Sequence, residues 1–172
     1  MKERKTVFGQ LKPTEDNLKK SGFRRDCALL KRAVGRPIQS VDANTLAAFY
    51  SRVPLRYKEG DKDRCLNEEK AFYIACLYCL QGGNGKAELP AAWASYAVKH
   101  KVDHTTITRL VDQPWNDNVA QSLVRIVRRM MSDGYSIDLE ALMYDVTFWN
   151  TWLTRKHWAE NISKTKEKEN EN

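Results

Sequence analysis

Phe72-Tyr73-Ile74-Ala75-Cys76-Leu77-Tyr78-Cys79-Leu80 is the stretch whose reading decides the fold. It lies inside a helical span over 66–81 and is apolar on every side, as a helix enclosed by other helices must be. The apolar run Ala71 to Leu80 is far too short to cross a bilayer. A central buried helix of this kind needs neighbours, and the rest of the chain supplies them.

Outward from that span, apolar spacing predicts helices over 14–20, 23–35, 42–52, 88–100, 103–112, 117–132 and 138–158. Strand signals are nearly absent. The 8 glycines and 5 prolines are scarce and fall between the periodic segments. Asp42, Asp103, Asp117 and Asp138 stand where N-caps belong, each able to accept from the free amides of a first turn. In the last long segment, Leu139, Leu142, Met143, Val146, Phe148, Trp149 and Trp152 read as core. The expected fold is all-α, two small helical bundles of about eight or nine helices. A charged loop between Pro54 and Arg64 suits a seam between an N-terminal helical part, 1–60, and a C-terminal bundle, 61–162, the alternative being one compact unit. The alternating Lys and Glu of 163–172 predict a disordered tail.

The chain has 172 residues, 42% of them hydrophobic and 10% aromatic, enough for a substantial core. Its 29 Lys and Arg against 22 Asp and Glu leave a charge of +7. That excess favours a polyanionic partner, although basic surfaces also occur on proteins without one. Met1 to Lys5 is basic with no apolar run behind it, so no secretory signal is read. Together with four cysteines that form no disulfide-dense pattern, this predicts a cytoplasmic protein.

Two basic faces carry the functional reading. In the helix over 117–132, Val119, Leu123, Ile126, Val127 and Met130 share one side, and Arg125, Arg128 and Arg129 lie opposite. No acid occurs from Val119 to Ser132, and only Asp133 stands four residues from any of the three arginines. A phosphate chain relieves the mutual repulsion of such guanidiniums, and their fork matches phosphate oxygens. In the helix over 23–35, Phe23, Cys27, Leu30 and Val34 form the core stripe, with Arg25, Arg32 and Arg36 aligned on the other side. Residues 1–36 hold eleven Lys and Arg against four Asp and Glu. Two such faces suggest a track for a backbone. Neither interleaves surface aromatics, so the expectation is sequence-blind binding without base stacking.

Other motifs carry less. Cys76-Leu-Tyr-Cys79 has the spacing of a metal or redox pair but lies in the most buried helix, with no second pair and Cys65 eleven residues upstream. Gly82-Gly83-Asn84-Gly85-Lys86 follows a helix and is succeeded by Ala87, so it reads as a flexible turn and not a phosphate loop. His100 and His104 are separated by a helix start at Asp103, and His157 has no companion. No metal or cofactor is expected. Without paired carboxylates or a nucleophile beside a base, neither is an enzyme. A helix-turn-helix across Ala94 to Leu110 is the rival. It would pack through Ala97, Val102, Ile107 and Leu110, and present Thr105, Thr106 and Arg109 to bases.

Taken in order, several segments resemble a known family. They are Cys27-Ala-Leu-Leu-Lys-Arg32, Ala48-Phe-Tyr-Ser-Arg-Val53, Ala71 to Gly83 ending Tyr-Cys-Leu-Gln-Gly-Gly, Ile107-Thr-Arg-Leu-Val111, Leu123-Val-Arg-Ile-Val127 and Leu142-Met-Tyr-Asp-Val-Thr-Phe-Trp149. Their order and spacing, from about Phe23 to Ile162, are similar to the CasB small subunit of the type I-E CRISPR Cascade complex. The resemblance implies a non-catalytic, two-bundle helical protein of antiviral defence. Two copies of it stack beside the large subunit and the repeated backbone subunit, contacting crRNA, target DNA and the displaced strand. It maps the family's basic residues onto Arg32 with Lys31 beside it, onto Arg125, and, across a short insertion, onto Arg155 and Lys156. The family's arginine before the isoleucine of the 103–112 helix is Thr106 here, a departure that Arg109 could offset.

Overall fold

The computed structural model describes residues 6–59 and 61–171, and Met1 to Lys5 of the basic N-terminal segment lie outside them. Among the described residues it contains nine α-helices, two 3-10 turns and one two-stranded ribbon. The all-α expectation holds. The helices fall into two compact units, residues 1–84 and 85–172. The division falls after the central helix and not at the charged loop near residue 60.

In the first unit, α1 (Glu15–Lys19), α2 (Phe23–Arg32) and α3 (Ala43–Arg52) precede α4 (Glu68–Gln81). Ala71 through Tyr78 are all buried, so the run that is apolar on every side is the enclosed helix. α2 packs on both α3 and α4, and the turns Gly9–Leu11 and Ile38–Ser40 lean on α4. Phe49 meets Phe72 edge-on at 5.2 Å, and Phe8 meets Tyr78 at 5.3 Å. The 54–64 loop is a hairpin, with β1 (Arg56–Glu59) antiparallel to β2 (Lys62–Cys65) and Lys58 opposite Asp63. Its strands carry charge at most positions, so they lack the alternating apolar pattern that marks a strand.

The second unit contains α5 (Leu89–His100), α6 (Thr105–Val111), α7 (Asp117–Ser132), α8 (Leu139–Thr147) and α9 (Trp152–Asn170). α5 lies along α9, and α6 packs on α7 and α9. Trp93 and Trp158 are buried at the centre, and Trp149 meets Trp158 at 5.3 Å and 89°. The helix expected over 138–158 is two. Asn150 takes φ 62, a left-handed value that asparagine tolerates, and Thr151 Oγ1 caps the next helix by accepting from Thr154 N–H. Two expected core residues move outward as a result: Phe148 is 42% exposed and Trp152 is 68% exposed. The segment 163–172, expected as a disordered tail, continues α9 through Asn170; Lys and Glu are good helix formers, and Ile162 is buried just ahead of it.

Two of the four expected aspartate caps stand at the cap position, and two do not. Asp42 and Asp138 accept from the amides of Thr45 (2.8 Å) and Ala141 (3.0 Å). Asp103 accepts from Thr105 N–H at 2.8 Å, one residue ahead of the α6 cap position. For α7 the cap is Asn116, which accepts from Val119 N–H at 2.9 Å, and Asp117 is the first helical residue.

Candidate nucleic-acid interface

α7 is amphipathic in the manner its spacing predicts. Val119, Leu123, Ile126, Val127 and Met130 are buried, while Arg125, Arg128 and Arg129 are exposed. Arg125 Nε donates at 3.4 Å to the Gln121 carbonyl one turn back. None of the three makes an ion pair among the described residues. Asp133, the one acid within helical reach, is committed elsewhere: Lys99 Nζ lies 3.3 Å and His100 Nε2 3.1 Å from its carboxylate. Desolvation works to raise Asp133, but the hydrogen bonds from Lys99 and His100 outweigh it and hold the carboxyl below its usual range. The α7 guanidiniums are therefore left without an acidic partner among the described residues.

The α2 face is smaller than the sequence suggests. Lys31 and Arg32 are exposed on the last turn, with no ion pair among the described residues. Their charge also suits the negative end of the helix dipole. Arg25 turns to Asp26, with Nη2 3.3 Å from Oδ1. Arg36 is not on the helix, because α2 stops at Arg32 and Gly35 takes φ 82; its guanidinium donates to the Ser40 carbonyl instead. The predicted alignment of Arg25, Arg32 and Arg36 thus reduces to Arg32 with Lys31 beside it. Arg24, which sequence spacing did not single out, is exposed on the same helix. The α2 and α7 faces belong to different units.

Arg155 and Lys156 are exposed near the start of α9, and Lys156 approaches Glu160 at 3.8 Å. Arg109 reaches Asp103 at 3.8 Å while remaining 74% exposed. A solvent-accessible pair at that distance holds its partner weakly. Thr105 Oγ1 is drawn to Asp103 at 2.7 Å, and Thr106 Oγ1 donates to the Asp103 carbonyl at 3.0 Å. Of the helix-turn-helix packing set, Ala97, Ile107 and Leu110 are buried, but Val102 is exposed and α6 is only seven residues long.

The remaining motifs resolve into structural roles. Cys76 is buried and Cys79 half-buried, with Cys27 of α2 beside Cys79. Burial pushes the Cys76 thiol up, and the hydrogen bond to Cys27, then burial, does the same to Cys79. The glycine loop, expected to be flexible, is pinned after Asn84. Gly85 N–H donates to the Ile137 carbonyl and Ala87 N–H to that of Ser136, so those amides are not offered to a phosphate. A Cβ at Gly85 would come within 2.2 Å of the Ser136 backbone, which explains the glycine. The histidines sit apart: His100 on Asp133, His104 near Lys166, and His157 2.9 Å from Glu88. No helix among the described residues is long and apolar enough to cross a membrane.

What sequence reasoning missed lies where α8 meets α9. Tyr144, Phe148, Trp152 and Leu153 are all exposed there, ahead of Arg155 and Lys156. The asparagine–threonine pair at 150–151 was the available signal, since Asn favours a left-handed turn and Thr an N-cap. No family model, no curated protein and no solved structure matches this chain.

Proposed function

We propose that this chain is a non-catalytic nucleic-acid-binding protein acting as a CasB-type small subunit of a type I-E CRISPR Cascade complex in the cytoplasm. The observation that carries the reading is α7, whose three exposed arginines lack acidic partners among the described residues because Asp133 is held by Lys99 and His100. Lys31 and Arg32 on α2, and Arg155 on α9, add exposed cations of the same kind. Helix-mounted guanidiniums suit a sugar–phosphate backbone, which carries no sequence information itself.

The energetics fit such a role. Exchange of a DNA duplex for a guide–DNA heteroduplex is nearly balanced, so a few phosphate contacts can tip it. The chain would hold crRNA, target DNA and the displaced strand, beside the large subunit, the repeated backbone subunit and a second copy of itself. No cofactor is required.

The test is reconstitution of the complex with Arg125, Arg128 and Arg129 replaced by alanine. The expected result is a shortened R-loop lifetime with unchanged assembly. An unchanged lifetime, or failure of the tagged chain to recover a guide RNA from its host, would overturn the proposal.

A further inference from the structure

α8 ends at Thr147, Asn150 turns the chain with φ 62, and Thr151 caps α9, and the corner so formed displays apolar surface. The Phe148 carbonyl accepts from Thr151 N–H at 3.3 Å and from Thr154 Oγ1 at 2.9 Å, which folds the end of α8 onto the first turn of α9. Phe148 then stacks obliquely on Tyr144, ring centroids 4.9 Å apart, and both remain about half exposed. Trp152 and Leu153 are 68% and 73% exposed. Large apolar side chains gathered in this way mark a contact surface.

The charge around them indicates what makes that contact. Between Glu140 and Glu160 the only acid is Asp145, which is buried and bonded to Trp158 Nε1 at 2.8 Å. The exposed cations of the corner are Arg155, which makes no ion pair among the described residues, and Lys156, whose 3.8 Å approach to the exposed Glu160 is solvent-screened and weak. They stand three and four residues beyond Trp152 on one helix, and so share its face. A flat indole with guanidinium and ammonium one turn away is the chemistry that receives an unpaired nucleotide, the base on the ring and the phosphate on the cations.

We infer that the α8–α9 corner is a base-stacking site for single-stranded nucleic acid, with Trp152 as the stacking surface and Arg155 and Lys156 as the phosphate clamp. The inference rests on the nucleic-acid reading above and deepens it, because it gives that reading a preference for unpaired bases that the arginine faces alone do not supply. It also revises the expectation that no surface aromatic takes part.

Fluorescence anisotropy of the full chain with a labelled oligothymidylate and an abasic strand of equal length tests it. Wild type should bind the base-bearing strand about tenfold more tightly, as one stacked base contributes. Trp152→Ala should bind both strands alike, Trp152→Phe should keep part of the preference, and the α7 arginine variants should weaken both strands equally. Equal wild-type binding to both strands, with the α7 variants still weakening both, would overturn the stacking site and leave the phosphate reading standing. Binding to neither strand would overturn both. Loss of self-association in Trp152→Ala with the strand preference intact would reassign the corner to a protein contact.

Discussion

Arg52 Nε lies 3.0 Å from Asp26 Oδ2, with the two side chains only 11% and 7% exposed. The guanidinium also donates to the Ser21 carbonyl at 3.1 Å and sits 5.5 Å from the centre of the Phe23 ring. This arginine ties α3 to α2 and has no surface to offer a strand. Removing one partner leaves the other charge buried, which costs about 3–5 kcal/mol. Arg52→Ala should therefore lower the urea-unfolding free energy by an amount in that range. A loss under about 1 kcal/mol, the scale of an exposed pair, would mean that Arg25 satisfies Asp26 unaided.

The cysteines should separate by reactivity. The hydrogen bond with Cys79 holds the Cys27 thiol below its usual range; burial opposes the shift, and the Arg52 charge supports it. Cys76 and Cys79 are shifted the other way. Because the thiolate is the nucleophile, iodoacetamide on the native chain should modify exposed Cys65 and then Cys27, sparing Cys76 and Cys79 until denaturant is added. Mass spectrometry of timed samples reads the order. Early labelling of Cys79, or its protection by added zinc, would revive the metal reading of the C-x-x-C pair.

Acid should weaken the fold through three carboxylates. Asp42 is held low by the Thr45 amide, Asp103 by the Thr105 hydroxyl and then its amide, and Asp133 by Lys99 and His100 against its desolvation. A carboxyl with a depressed folded pKa binds fewer protons folded than unfolded. Its stabilising contribution is complete above the unfolded value of about 3.9 and disappears as pH falls through the lower folded value. Urea midpoints should be flat from neutrality to about pH 5 and then decline. Asp133→Asn should decline less steeply, and a parallel curve would show that Lys99 and His100 do not stabilise the charged form.

Much of this was legible from residue spacing. Every position from Ala71 to Tyr78 proved buried, and α7 placed its five apolar and three basic residues on the sides that a 3.6-residue period requires. What escaped were terminations and partners. α2 ends at Arg32, two residues before its apolar stripe does at Val34, so Arg36 left the face assigned to it. The pairing of Asp133 with residues 33 and 34 positions away is a tertiary fact that no local window contains. The corner at Asn150 was hidden because Phe148 and Trp152 continue a helical apolar rhythm across the break. Spacing reports what a regular helix would bury, and caps decide whether that helix is there.

The α7 arginines give the last expectation its sharpest form. Each phosphate neutralised on a single strand releases counterions, adding about −0.7 to the slope of log affinity against log salt. Replacing Arg125, Arg128 and Arg129 together by alanine should make that slope less negative by about 2 if each holds one phosphate. The three side chains are exposed and carry no ion pair among the described residues, so the circular dichroism spectrum should not change. Unfolding free energy should stay within about 0.5 kcal/mol per substitution. A variant with a wild-type slope would show that the guanidiniums face solvent and that the strand runs elsewhere. A variant that unfolds would show instead that α7 depends on them, through contacts such as the one from Arg125 to the Gln121 carbonyl.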